Sequence, residues 1–183
     1  MISRTEFEQS LSTESVRTSQ IIHIALALGA LLFFGVVIFL YFNGTADAEP
    51  EEDVIQALCL VLIVFGMTAY GAAMFVYKKM FAEISLAEPV MTSDGKTIVN
   101  QAEIFVARLR SAQIIRLALF QGVALFGLVI CQLSVMNGLM HASPVYWAAA
   151  LPTLFVILLV ALTFPTKEKL AADFELYRET HNG

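Results

Sequence analysis

The sequence has few charged residues and few of the residues that build most active sites. Asp, Glu, Lys and Arg make up 15% of its 183 residues, and it holds two cysteines and three histidines. The histidines are scattered and no Cys/His spacing suggests a metal site, so we expect neither metal nor cofactor. The sequence also lacks a nucleophile paired with a base, a phosphate-binding loop and a carboxylate pair, so we expect no enzyme and assign no catalytic residue.

Charge is almost absent from four long apolar blocks. The chain is 58% hydrophobic, against roughly 45–50% for a soluble domain, and its mean hydropathy is +0.74. The blocks are residues 20–42, 54–77, 112–136 and 145–164, and none contains Asp, Glu or Lys. Each is close to the ~20 residues that a helix needs to cross a bilayer. The sequence therefore predicts an all-α, multi-pass integral membrane protein with four transmembrane helices.

Basic residues are missing from two of the three connections between these spans. All eleven Lys and Arg fall on one side of the four-span arrangement, and residues 43–53 and 137–144 contain none. Because positive charge stays cytoplasmic, both termini are predicted inside, and we place the protein in a bacterial inner (plasma) membrane. The net charge is −5 and no basic groove is evident, so nucleic-acid binding is not expected.

The first and third spans resemble each other in sequence. Residues 17–33 and 110–126 align, with identical residues at nine positions: Arg17, Gln20, Ile21, Ile22, Ala25, Leu26, Gly29, Leu32 and Phe33 match Arg110, Gln113, Ile114, Ile115, Ala118, Leu119, Gly122, Leu125 and Phe126. His23 stands opposite Arg116. We interpret this as a duplicated two-span hairpin whose copies run the same way through the membrane, a parallel repeat. The alternative is convergence of apolar composition.

Helices are also predicted to continue beyond the membrane. Asn100 and Glu103 form a candidate capping box, and a helix over 101–136 would be far longer than a ~30 Å hydrocarbon core requires. The tail places Leu170, Phe174 and Tyr177 at helical spacing, for a helix that lies on the membrane surface or packs on the cytoplasmic extensions. The predicted order is a cytoplasmic N-terminal segment, a hairpin, a cytoplasmic helical connection, a second hairpin and an amphipathic cytoplasmic tail. These cover residues 1–19, 20–77, 78–111, 112–164 and 165–183.

Three polar or small residues make the third span unusual. Gln121 lies near mid-membrane, and it shares one helix face with Gly122 and Gln132. A side-chain amide in lipid needs a hydrogen-bonding partner on a neighbouring helix, and small residues with amides are typical of close helix contacts. The face is therefore a candidate helix interface. The alternative is a site for an ion or a small polar ligand.

The same helix resembles a known ion-carrying helix. "FQGVALFGLVI", residues 120–130, is similar to the helix of rotary ATPase proteolipids, the ring-forming c subunits. The match ends in Phe126-Gly127-Leu128-Val129, and Gln121 stands where the family has its ion-carrying carboxylate. The larger proteolipids are also duplicated four-span proteins. An amide cannot carry a proton as a carboxylate does, the duplicate position is Leu28, and no other span supplies an acid. The resemblance thus implies a helix-packing role without proton turnover.

Basic side chains gather near the inner ends of the first and third spans. Arg17, His23, Arg110 and Arg116 are predicted to contact headgroups, most favourably those of anionic lipids. The alternative for His23 and Arg116 is a shared anion site, which would respond to pH near the ~6.5 of an ordinary histidine.

The leading functional hypothesis is a non-enzymatic scaffolding subunit that self-associates as a homo-oligomer or docks on a larger membrane complex. The alternative is a small channel or carrier for an ion or solute that uses Gln121, Gln132 and Arg116. A water-filled path needs polar residues on several helices at one depth, and only the third span is polar along its length. The pattern therefore favours helix packing.

Overall fold

The computed structural model describes residues 3–44, 52–86, 88–91, 95 and 97–182, and it is predominantly helical. The helices are α1 (Arg4–Ser10), α2 (Thr13–Asn43), α3 (Glu52–Ala82), α4 (Gln101–Met136), α5 (Leu139–Ala142), a 3₁₀ helix (Pro144–Ala150), α6 (Leu151–Leu162) and α7 (Lys167–Asn182). Two short strands, β1 (Val90–Met91) and β2 (Thr97–Ile98), pair antiparallel between α3 and α4.

Among the described residues, four helical segments are long and apolar enough to cross a membrane: α2, α3, α4 and the continuous stretch Pro144–Leu162. They contain or closely overlap the four predicted blocks, so the prediction of an all-α, multi-pass membrane protein is confirmed. The helices α2 and α4 end at Asn43 and Met136, which are 93 residues apart. The aligned stretches 17–33 and 110–126 are separated by the same number of residues. The duplication itself stays a prediction.

The start of α4 agrees in part with the sequence prediction. Asn100 accepts a hydrogen bond at Oδ1 from the Ala102 amide at 3.0 Å and so caps the helix, but the returning bond from Glu103 that would complete the predicted capping box is not seen among the described residues. The Asn100 side-chain amide donates to the Ser10 carbonyl at 2.9 Å, which ties this cap to the end of α1.

The N-terminal segment contains a short separate helix before the first span. Helix α1 has a complete capping box formed by Ser3 and Glu6, and it ends at Ser10. A new helix begins at Thr13, and the Ser12 hydroxyl accepts from the Ser15 amide at 3.2 Å. Serine side chains compete for backbone hydrogen bonds in this way, which favours helix ends over helix interiors. Asp94 and Gly95 favour a tight bend between α3 and α4, and this position lies partly outside the described residues.

The chain forms two compact units, each with its own core. One unit, here called the terminal module, comprises residues 3–23, 74–116 and 163–182 of the described chain. Its core is aromatic: the Phe174 ring stacks on Phe7 at 4.5 Å and meets Phe105 edge-on at 5.3 Å. Tyr177 is buried and donates from its hydroxyl to the Ile84 carbonyl at 2.8 Å. Helix α7 thus packs on the helix extensions, the second of the two arrangements considered for the tail.

The other unit, here called the span module, comprises residues 24–73 and 117–162. Helix α4 supplies many of its buried residues, among them Ala124, Leu128 and Cys131. A side-chain carbon at Gly127 would overlap the carbonyl oxygen of Ala149, so a glycine is required where the 3₁₀ helix crosses α4. Tight contact with its neighbours leaves α4 with one face free, and that face carries the candidate site.

Candidate functional site: the uncovered face of the third span

Gln121 lies inside the span module rather than on its surface. Its side chain is 9% exposed, and its Nε2 lies 3.9 Å from the position that a β-carbon would take at Gly29 of α2. Its Oε1 is buried and has no hydrogen-bond partner within the described part of the chain. A single copy of the chain therefore packs this amide against α2 without satisfying it.

Gln132 and Gly122 lie at the margin of the core. Both are half-buried, and the Gln132 side chain makes no hydrogen bond to any described residue. Gly122 lies near the Phe65 ring of α3, whose Cζ would be 3.9 Å from an added β-carbon. Gln121 and Gln132 are eleven residues apart, about 16 Å along a helix, so the structure does not bring the two amides together.

The residues around Gln132 form one continuous stripe that the rest of the span module leaves uncovered. The stripe, here called the α4 face, consists of Ala118, Gly122, Leu125, Val129, Gln132 and Met136. Ala118 is exposed, and Leu125, Val129 and Met136 are 36%, 39% and 54% exposed. The intervals alternate between four residues and three, which is the 3.5-residue period of helices that pack along their length. Gln121 is the one residue of the predicted interface that the fold buries.

The α4 face differs chemically from an ordinary lipid-facing surface. Ala118 and Gly122 are small and four residues apart, a pair that lets a second helix backbone approach closely. Gln132 adds an amide to this otherwise apolar stripe, four residues before the end of α4. By contrast, the exposed side chains of α6 include Leu151, Leu154, Phe155, Leu158 and Leu162, which suit contact with acyl chains.

Of the predicted headgroup residues, Arg110 is engaged within the terminal module. Its Nε donates to the Ser19 hydroxyl and its Nη2 to the Ser15 carbonyl, both at 2.8 Å. These bonds join α4 to the first turns of α2. Arg17, its counterpart in the aligned stretch, is exposed. The two aligned arginines therefore have different surroundings, and Arg17 is the better placed to meet a headgroup.

His23 and Arg116, which are opposite each other in the alignment, lie in one cluster of the terminal module. The Arg116 guanidinium lies over the Tyr77 ring, 4.2 Å from its centroid, and its charge acts on His23. His23 is fully buried, and its Nδ1 lies 2.8 Å from the Ser19 carbonyl. Because a carbonyl oxygen only accepts, this contact assigns the hydrogen to Nδ1. Its Nε2 is buried and lacks a partner among the described residues.

Sequence reasoning missed a carboxylate in the same cluster. Asp173 of α7 is half-buried, and burial raises the pKa of its carboxyl, although the positive charges of Lys169 and Arg116 act in the opposite direction. The charge of Arg116 is therefore partly balanced inside the chain. In the sequence, Asp173 directly precedes Phe174 of the apolar stripe of α7. The spacing of the apolar residues alone does not show that this acid is partly buried.

The cysteines and the other groups that could bind a metal ion form neither a disulfide nor a metal cluster in the described part of the chain. Cys59 and Cys131 are both free. Within the described ranges, no three His, Cys, Asp or Glu side chains are placed to share a metal ion.

Part of the chain is similar to a known family model. Residues 1–85 match a family model described as "Protein of unknown function (DUF2975)". No curated protein matches the chain, and no solved structure does. The family match covers α1, α2 and α3 and stops before α4, so it is similarity to a family of unknown function over the first two spans of this chain.

Proposed function

We propose that the chain is a non-enzymatic membrane scaffolding subunit that self-associates through the α4 face. The observation that carries this proposal is the position of Gln132: an amide without a hydrogen-bonding partner among the described residues, on an uncovered stripe, ten residues after the small residue Gly122. An amide in this position is unfavourable in a lone chain surrounded by lipid, and contact with another copy relieves it.

A second copy is a chemically suitable partner for this face. In a two-fold symmetric pair each residue near the axis meets its own counterpart. An amide both donates and accepts, so Gln132 can hydrogen-bond to Gln132 of another copy, which two like charges could not do. Such bonds in membranes are worth ~0.6 kcal/mol on average and up to ~1.7 kcal/mol.

The remaining stripe supplies the packing surface. Ala118 and Gly122 allow close backbone approach, and Leu125 and Val129 then lie at the alternating positions where side chains interdigitate. Helix association in a membrane depends on such packing, because the lipid acyl chains are as apolar as the side chains and provide no hydrophobic driving force between helices. Sequence features and exposure both favour the α4 face over the larger side chains of α6.

In this proposal both termini are cytoplasmic, as the placement of Lys and Arg suggests, and the membrane is a bacterial inner membrane. Two parallel hairpins form the spans, and Arg17 contacts anionic headgroups. The likeness of residues 120–130 to rotary ATPase proteolipids fits a packing role, since Gln121 does not titrate. No nucleic acid takes part.

The buried polar groups of the span module favour scaffolding over a channel. Ser134 donates to the Ile130 carbonyl at 2.8 Å, and Thr153 donates to the Ala124 carbonyl at 3.3 Å. The Ser134 hydroxyl is thus satisfied within its own helix, and the Thr153 hydroxyl joins α6 to α4. Ser134 and Gln121 lie thirteen residues apart, about 20 Å along α4, and both hydroxyls are committed to backbone carbonyls, which favours a packing role.

A matched pair of variants tests the proposal. Ala118→Leu enlarges the α4 face, and Ala72→Leu makes the same change on the exposed side of α3. Counting subunits by single-molecule photobleaching in vesicles should give dimers or larger assemblies for the wild type and for Ala72→Leu, and mostly monomers for Ala118→Leu. Equal subunit numbers in the two variants would contradict an interface on this face.

A further inference from the structure

The span module contains a cavity of about 500 Å³ between α3 and the 3₁₀ helix. Its apolar wall includes Cys59, Leu62, Ala148 and Ala149. It is bordered by Leu60 and Ile63, which are 66% and 59% exposed. Because these side chains belong to a membrane-spanning helix, the cavity is reached from the lipid-facing surface of α3.

A carboxylate is fixed at the rim of this cavity. Glu52, the first residue of α3, accepts two hydrogen bonds at Oε1: from Gln56 Nε2 at 3.0 Å and from the Tyr146 hydroxyl at 3.2 Å. Tyr146 is 7% exposed, so its ring holds the hydroxyl in place. The second carboxylate oxygen, Oε2, makes no hydrogen bond to the described residues.

The wall carries no compensating positive charge. The residues that line the cavity include no lysine, arginine or histidine. An apolar cavity with one oriented charged group at its rim is typical of sites for amphiphilic ligands, and its volume lies within the ~300–1,000 Å³ of ordinary ligand pockets. The charge at the rim selects a cationic group.

We propose that this cavity binds a phospholipid whose headgroup ends in a primary ammonium, the phosphatidylethanolamine class. The ammonium donates to Glu52 Oε2, and an acyl chain lies along Leu62 and Ala149. This proposal is independent of self-association through the α4 face.

Three features favour this ligand over other lipids. A primary ammonium forms a charge-assisted hydrogen bond with a carboxylate, whereas the quaternary ammonium of a choline headgroup has no N–H to donate. An anionic headgroup such as phosphatidylglycerol is repelled by Glu52. A lipid is favoured over a water-soluble amine because the apolar wall and the exposed Leu60 and Ile63 adjoin the acyl-chain region.

Native mass spectrometry of the full chain in mild non-ionic detergent tests the proposal. The protein is titrated separately with palmitoyl-oleoyl phosphatidylethanolamine, the matching phosphatidylcholine and the matching phosphatidylglycerol. The wild type should bind the ethanolamine lipid about tenfold more tightly than the choline lipid, as expected when one charge-assisted hydrogen bond distinguishes them. Equal affinity for these two lipids would overturn the proposal.

Two variants locate the effect. Glu52→Gln removes the charge at the rim and should abolish the preference for the ethanolamine lipid. Asp53→Asn removes a neighbouring charge from the same first turn of α3 without touching the cavity, and it should keep the preference. A preference that survives Glu52→Gln, or that is lost equally in both variants, would contradict binding at this carboxylate. Tyr146→Phe removes one of the two hydrogen bonds that hold the Glu52 carboxylate. It should therefore reduce the preference for the ethanolamine lipid in part.

Discussion

Truncating Phe174 to alanine should release α7 from the terminal module. The ring is fully buried. It stacks on Phe7 at 4.5 Å with the planes 16° apart, and it meets Phe105 edge-on. Phe7 is the buried residue of α1, so the same substitution removes the principal apolar contact of that short helix.

The expected cost is large because the ring is surrounded on several sides. Buried phenylalanine truncations cost about 3–5 kcal/mol, and each aromatic pair adds about 0.5–1.5 kcal/mol beyond its buried area. Leu176, on the same helix, is 56% exposed, and a surface change there should stay within about 0.5 kcal/mol. Leu176→Ala is therefore the matched control.

Hydrogen exchange in lipid nanodiscs measures the release directly. In Phe174→Ala the amides of α7 should exchange roughly two to three orders of magnitude faster than in the wild type, while those of the spans stay protected. Leu176→Ala should exchange like the wild type. Similar protection of α7 in the two variants would refute the reasoning that Phe174 holds this helix in place.

Three further predictions concern topology, charge and the buried amide. With both native cysteines replaced, an impermeant maleimide applied to intact cells should label Asn43→Cys and spare Thr180→Cys; labelling of Thr180→Cys would reject cytoplasmic termini. Burial raises the pKa of the Asp173 carboxyl. The protonated carboxyl therefore stabilises the fold fully at pH values below the ordinary aspartate pKa, and this stabilisation is lost as the pH rises through the raised pKa. Asp173→Asn should thus flatten the pH dependence of thermal unfolding and raise the melting temperature at neutral pH, and an unchanged profile would exclude this role. Gln121→Leu removes an unpartnered oxygen that costs about 1–3 kcal/mol, so the melting temperature should stay equal or rise; a clear fall would indicate that the amide is satisfied in an assembly.

Much of the helical framework follows from local sequence signals. The absence of charge marks the spans, and Asn100 with the uninterrupted run behind it marks the start of α4, eleven residues before the third apolar block. The spacing of Leu170, Phe174 and Tyr177 predicts which side of α7 is buried. Such signals repeat along one helix and need no knowledge of its neighbours.

What the sequence could not give depends on the neighbouring elements. Strands β1 and β2 have two residues each, too few for an alternating pattern. Gln121 and Gln132 appear equivalent on α4, yet α2 covers the first and leaves the second at the margin. Asp173 joins the cluster around Arg116 because α7 packs on the helix extensions, and that contact is not encoded in the helix period.

Cysteine cross-linking at Leu125 tests the central claim most directly. Leu125 lies in the middle of the α4 face and is partly exposed, so Leu125→Cys in a chain without native cysteines should form a disulfide-linked dimer when vesicles are oxidised. Leu154→Cys, on the exposed side of α6, is the control and should remain monomeric. A dimer formed through Leu125→Cys alone is the result that we predict. A monomer at Leu125→Cys, or equal cross-linking at both positions, would contradict self-association through the α4 face.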